Sequence, residues 1–329
     1  MTESAFRLNG PLVVRSPNWL GDAVMALPAV RNLKAMLVND PLTVAAPEKL
    51  AALWQACPFV DKVIALEQPK KLSACARQLR VEKFGSAVFL PNSLRAAAEA
   101  WLAGIPQRIG YARGGRSLLL TKAVPTPLRN PVRLHQRFYY LDLVAALGGP
   151  DDSSLPALRV NVPVAEAKTP MTVALCPGAE YGPAKRWPAE NFLAVAKYFV
   201  EKHGAKIVLL GAAGDIAIAE EISKQLPKTE NRVGKTSLAE FITALASARL
   251  VICNDSGAMH VASALNVPTV TIFGSTEPLL TGPIGTRTKV LRHHVPCSPC
   301  FLRECPIDFG CMKGIKPEMA IEAAEALLK

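Results

Sequence analysis

The chain has 329 residues, half of them hydrophobic and a fifth charged, with a formal net charge of +11. That balance supports two hydrophobic cores of ordinary size and excludes a disordered polymer. No apolar run reaches the roughly 18 residues of a spanning helix; the opening MTESAFRLNGPLVV has no basic stretch leading into an apolar one, so a cytoplasmic protein is expected.

PLVVR (11–15) reads as a strand, and Gly21 to Leu37 as the helix after it. LTVAA, VDKVIAL and SAVFLP continue the strand series, with helical patterns near 47–56, 70–82 and 93–103. This is the alternation of a parallel sheet covered by helices on both faces. The Pro-rich stretch from Gly148 to Pro170 interrupts it and reads as a linker. A second series follows: TVALCPG, a helix near 189–203, AKIVLLG, a helix near 215–226, NRVG, a helix from 237, LVICND, a helix from 256, VPTVTIFG, and a last helix from about 317 to Leu328. The expected fold is α/β, two doubly wound Rossmann-like domains over residues 1–160 and 161–329. A cleft between the carboxyl ends of the two sheets is where ligands of such sheets bind.

The charge is uneven. Residues 1–165 carry 20 Lys and Arg against 11 Asp and Glu, and residues 100–141 hold Arg108, Arg113, Arg116, Lys122, Arg129, Arg133 and Arg137 with no acid. Such a field concentrates anionic partners. Nucleic acid, an anionic membrane and a phosphorylated substrate all qualify, but no DNA or RNA motif accompanies the charge.

Five stretches carry candidate chemistry. In CNDSGAMHVASALN (253–266), Asn254 and Asp255 end a strand and Ser256–Gly257 open a helix. The free N–H groups of a helix start form an anion site, with His260 within reach; a well-capped helix with a surface histidine uses the same residues. In CPGAEYGPAKRWP (176–188), Lys185 and Arg186 sit on a Gly- and Pro-shaped loop after a strand of the same sheet. A mobile point charge beside a bidentate fork suits a diphosphate, although a Lys–Arg pair is also commonly just solvated. Asp22, in SPNWLGDAVMALPAV (16–30), stands at a helix start of the first domain, as a cap or as a general base. Asn92, Ser93 and Arg95 in LPNSLRAA (90–97) offer polar and cationic groups, or caps, at another strand end.

The fifth stretch holds Cys297, Cys300, Cys305 and Cys311, four thiols within fifteen residues. Their spacing is compatible with a tetrahedral structural zinc, and equally with free thiols. No Asp-x-Asp triplet is present to hold a catalytic cation, so cationic side chains and a helix start would have to stabilise a diphosphate. The first strand–helix turn, RSPNWLGDA, lacks the GxGxxG of a nicotinamide dehydrogenase.

NWLGDAVMALPAV, LPNSLRAA, CPGAEYGPAKRWP and NDSGAMHVASALN, in this order, resemble the ADP-heptose:lipopolysaccharide heptosyltransferases of glycosyltransferase family 9 over nearly the whole chain. CPGAEYGPAKRWP looks like the second type rather than the first. The resemblance implies a GT-B fold of two facing Rossmann-like domains and an inverting, metal-independent transfer of heptose from ADP-heptose. The implied acceptor is the first heptose of a heptosyl-Kdo2-lipid A core, reached at the inner face of the cytoplasmic membrane. A different core acceptor, or a non-catalytic nucleotide-sugar binder, would have the same motifs. Carried over, Asp22 is the catalytic base and Lys185 meets the diphosphate, with Arg186 beside it. Asp255, Ser256, Gly257 and His260 match the nucleotide-sugar loop, and Asp215 in GAAGD matches an acidic ribose contact. Asn92, Ser93, Arg95, Arg113 and Arg116 are expected on the acceptor side, with the basic stretch against anionic lipid. No required cofactor is implied.

Overall fold

The computed structural model describes residues 6–68, 71–128, 130–160 and 170–329. The chain divides into two compact units, Met1–Arg159 and Val160–Lys329. Arg129 and most of the expected linker, 161–169, lie outside the described residues.

The first unit holds a six-stranded sheet of β1 (Leu12–Arg15), β2 (Leu42–Pro47), β3 (Lys62–Leu66), β4 (Ser86–Phe89), β5 (Gln107–Tyr111) and β6 (Lys122–Val124). Its order is β3-β2-β1-β4-β5-β6, and every pairing is parallel. The second unit repeats the plan with β7 (Thr172–Cys176), β8 (Lys206–Leu209), β9 (Glu230–Asn231), β10 (Leu250–Asn254), β11 (Thr269–Phe273) and β12 (Thr288–Arg292). Its order, β12-β11-β10-β7-β8-β9, is the same 3-2-1-4-5-6 winding read from the other edge. Again every pairing is parallel.

The central strands β1, β2, β4, β10 and β11 are buried along their whole length. That is why they read as unbroken apolar runs rather than as alternating ones. Helices cover the sheets: Phe192 and Phe199 of the helix Ala189–His203 share one core with Val173, Leu175, Ile207 and Ile252 in the second unit. Leu79 and Ala97, on the helices Leu72–Val81 and Leu94–Leu102, do the same over Val13 and Phe89 in the first.

The expected single helix from Gly21 to Leu37 is two, Leu20–Met25 and Leu27–Ala35. Pro28 has no N–H for the carbonyl one turn back, so the ladder breaks beside it. The helix expected near 47–56 is a 3-10 turn followed by the short helix Ala51–Gln55. The others start and end close to where their periodicity places them.

In both units the winding reverses between the first and fourth strands. The loops leaving the carboxyl ends of β1 and β4, and of β7 and β10, therefore start side by side. All the residues singled out for chemistry in the four strand-end motifs lie on these loops or on the helices they open.

Candidate active site

In the second unit, three strand-end loops meet around Lys185. The loop after β7 turns through Gly178 and Gly182 into a 3-10 turn, Pro183–Lys185, and then the long helix Ala189–His203. Lys185 Nζ lies 2.5 Å from Asp255 Oδ2, both side chains largely buried, and 4.6 Å from the centre of the Tyr181 ring. Asp255 Oδ2 also accepts the Thr276 hydroxyl at 2.5 Å. Thus one carboxylate oxygen gathers a cation from after β7 and a hydroxyl from after β11.

Asn254 and Asp255 are not the caps expected of them. The N-cap of the helix Gly257–Ala264 is Ser256, whose side chain makes no cap bond. Asn254 is fully buried and ties down the Lys185 loop instead. Its Oδ1 accepts the Trp187 N–H at 3.0 Å, and its Nδ2 donates to Pro177 O at 2.7 Å and Gly178 O at 3.4 Å. The helix start therefore keeps its N–H groups for an anion. His260 lies buried one turn in.

Arg186 reaches a fourth loop, after β8, with Nη2 3.3 Å from Asp215 Oδ1 and 3.5 Å from Gly214 O. Asp215 Oδ2 accepts the Ala212 N–H at 3.1 Å, holding the carboxylate at its own helix start. A Cβ on Gly178 would sit 1.9 Å from Asp215 Cγ. Only glycine lets the β7 loop pass that carboxylate.

In the first unit, Asp22 follows β1 on the third residue of its helix, whose N-cap is Trp19 with no side-chain cap bond. It is not a cap. Its Oδ1 accepts the Tyr140 hydroxyl at 3.4 Å. Burial pushes the Asp22 carboxyl above the usual range, and the Tyr140 bond partly opposes this. A desolvated carboxylate with a raised pKa has the character of a base for a hydroxyl proton.

Ser93 is a plain N-cap, accepting the Ala96 N–H at 3.4 Å, and Arg95 is exposed on the following turn. Asn92 donates to the Tyr139 hydroxyl at 2.7 Å and accepts from Arg116 Nη2 at 3.2 Å. Arg113 is exposed.

Arg116 corrects the sequence reading: it is fully buried. Its Nε donates to Tyr111 O at 3.0 Å and its Nη1 to Pro91 O. With its donors spent on the end of β5 and the loop after β4, it supports Asn92 and does not face a partner. The acid-free stretch is also less free than its sequence suggests. Arg133 pairs with Asp142 and Asp151, and Arg108 donates to the carbonyls of Ile105 and Leu119.

Cys297, Cys300, Cys305 and Cys311 line one cavity of about 290 Å³. Among the described residues, however, no three His, Cys, Asp or Glu side chains are arranged to hold a metal ion.

Tyr140 and Thr276 escaped the sequence reading. Thr276 could have been found, since it follows β11 directly at a strand end. Tyr140 sits on the helix Gln136–Ala145 with no local signal.

The family model for glycosyltransferase family 9 (heptosyltransferase) matches residues 72–309. The chain belongs to glycosyltransferase family 9. It is 30% identical to lipooligosaccharide heptosyltransferase 2 of Haemophilus influenzae, over 96% of this chain and 99% of that protein. It is also 30% identical to lipopolysaccharide heptosyltransferase 2 of Escherichia coli, over 85% and 87%. The solved structure of E. coli ADP-heptose LPS heptosyltransferase II superposes with a TM-score of 0.81 at 28% identity, covering 97% of this chain and 98% of that one. These likenesses agree with the GT-B architecture and with a glycosyltransferase. No helix among the described residues is long and apolar enough to cross a membrane.

Proposed function

We propose that the protein transfers L-glycero-D-manno-heptose from ADP-heptose to the first heptose of the lipopolysaccharide inner core, with inversion. The observation that carries this reading is the Lys185–Asp255 pair set beside a helix start whose N-cap side chain makes no cap bond. A buried ammonium next to free backbone N–H groups is a receptor for a diphosphate.

In this reading Lys185, Arg186 and the N–H groups at Ser256–Gly257 bind the donor's diphosphate and stabilise ADP as it departs. Asp215 holds the ribose, and His260 supports the loop. Asp22 takes the proton from the acceptor hydroxyl while that oxygen attacks the anomeric carbon on the face opposite ADP. Charge develops on the sugar ring as in other glycosyl transfers. Tyr140 aims the Asp22 carboxylate and favours its ionised form against the larger effect of burial.

The acceptor is a heptosyl-Kdo2-lipid A type lipid, received by the first unit through Asn92, Arg95 and Arg113. Contact with the anionic inner face of the cytoplasmic membrane is supported by Arg113 and by the neighbouring Leu118, 96% exposed. An apolar tip beside a cation suits a lipid surface. Nucleic acid is not a partner in this reading.

The test is incubation with ADP-heptose and a one-heptose core lipid, followed by mass spectrometry of the lipid. A gain of one heptose is expected. Hydrolysis or binding of ADP-heptose without lipid gain, or gain only on another core lipid, overturns the assignment.

A further inference from the structure

Asn18 and Trp19 are exposed in a stretch that is otherwise covered: residues 12–17 before them and 23–30 after them are buried. Trp19 is 53% exposed. It is the N-cap of the helix that carries Asp22, yet its side chain makes no cap bond. Its carbonyl accepts the Ala23 N–H at 2.9 Å, closing the turn on which Asp22 stands. The indoles of Trp54 and Trp187 are buried and donate to Ser16 Oγ and Ile315 O. Among the described residues the Trp19 indole N–H has no acceptor. A lone exposed apolar side chain is ordinary; what sets Trp19 apart is its company.

That company is Lys49, whose Nζ lies 5.3 Å from the centre of the Trp19 ring. Lys49 is exposed in the 3-10 turn Glu48–Leu50 that leaves β2. Because β1 and β2 run parallel, with Arg15 opposite Ala45, both residues stand at the carboxyl edge of the sheet. Lys34, Lys62 and Arg133 of this unit each hold a carboxylate. Among the described residues no carboxylate pairs with Lys49. In strand order β2 lies on one side of β1 and β4 on the other. Asp22 therefore has Lys49 towards one side and the Asn92–Arg95 loop towards the other.

We propose that Trp19 and Lys49 form a binding subsite for an acidic saccharide, the part of the acceptor adjoining the reacting hydroxyl. An indole offers a flat apolar surface with a polar N–H at its edge. A sugar ring lays its C–H face on that surface, and one of its hydroxyl oxygens accepts the N–H. The Lys49 ammonium, a compact charge on a flexible stem, meets a carboxylate of the same saccharide. Since the indole belongs to the turn that holds Asp22, a sugar stacked there is positioned relative to the base. The inference rests on the assignment of the first unit to the acceptor.

The experiment titrates the full chain with the lipid-free heptosyl-Kdo2 saccharide, which carries the acidic sugars without lipid A, and reads affinity by calorimetry. Trp19→Ala should raise the dissociation constant roughly three- to tenfold, the size of one stacking contact. Trp19→Phe should recover most of that loss. Lys49→Gln should weaken binding at low salt, with the difference fading as ionic strength rises. The wild-type tryptophan emission should shift as saccharide binds, and Trp19→Phe should remove most of the shift. In turnover assays with the intact lipid, Trp19→Ala should raise the KM for the acceptor and leave the KM for ADP-heptose constant. A loss confined to anionic vesicles, with saccharide affinity unchanged, overturns the proposal and makes the indole a membrane contact. A rise in the KM for ADP-heptose alone overturns it too. If the wild type binds no saccharide, the acceptor assignment fails and the subsite with it; if wild type and variants bind it equally, the subsite alone fails.

Discussion

Tyr140 holds Asp22: its hydroxyl donates to Oδ1 at 3.4 Å from a residue 118 positions further along the chain. Burial favours the neutral carboxylic acid and this bond favours the carboxylate, with burial the larger effect. A base kept partly desolvated and pinned by one donor is poised for a proton it must take and later release.

Asp22→Asn should lower turnover by roughly 10² to 10⁴, the usual contribution of a general base, with ADP affinity unchanged. It should also raise the melting temperature at neutral pH. A carboxyl whose folded pKa is raised contributes stability below its unfolded pKa and loses it as pH rises through the folded value. At neutral pH the wild type bears the cost of a buried anion and the amide does not. Turnover assays and thermal melts on one preparation check both parts, and turnover near wild type removes Asp22 from the mechanism.

Tyr140→Phe removes the bond that opposes burial, so the acid limb of the turnover–pH profile should move to higher pH. A single hydrogen bond of about 0.5–1.5 kcal/mol gives a turnover loss of roughly three- to tenfold on the acid limb of the profile, shrinking as pH is raised. A loss that is the same at every pH would assign Tyr140 to packing alone.

Lys185→Ala should weaken ADP binding by tenfold or more. It should also destabilise the fold by about 3–5 kcal/mol, because Asp255 is left buried without its cation. Adding Asp255→Asn should recover most of the stability and none of the binding. Calorimetry and denaturant melts on the three variants separate the two roles; recovery of binding in the double variant would move the diphosphate elsewhere.

Gly178→Ala tests the approach of the β7 loop to Asp215. The new methyl cannot coexist with the Asp215 carboxyl 1.9 Å away, so the carboxylate must turn and release Arg186. The KM for ADP-heptose should rise while the KM for the lipid acceptor stays constant. Equal effects on both substrates would mean that the second unit is merely disordered.

Arg113→Ser and Arg116→Ser should part company. The exposed Arg113 should lose affinity for anionic vesicles, with an effect that fades as salt screens it over about 10 Å at 0.1 M. The buried Arg116 should instead lower the melting temperature, since Tyr111 O, Pro91 O and Asn92 lose their donor. Vesicle sedimentation and thermal melts distinguish them.

The strand–helix alternation was legible from β1 to β4 and from β7 to β11, because strands buried on both faces must be apolar throughout and the covering helices must be periodic; β5, β6 and β12, which are partly exposed, and the helix Gln136–Ala145 were not read. The candidate loops were legible too, since Lys185, Asp215 and Asp255 each follow directly on a strand end, where such sheets place ligands. What local pattern could not supply was the partner of each side chain. Asn254 looks like a cap and is a staple, because its amide meets backbone 67 to 77 residues away. Arg116 looks like surface charge and is buried, because the carbonyls that accept from it converge only when β4 and β5 pair. The thiols of the cysteine loop read only as a spacing, and that their cavity borders Ala184 of the Lys185 loop is a product of the fold. Sequence carries propensity and order along the chain; hydrogen bonds between distant loops depend on the winding of the sheets, and tertiary structure alone decided them.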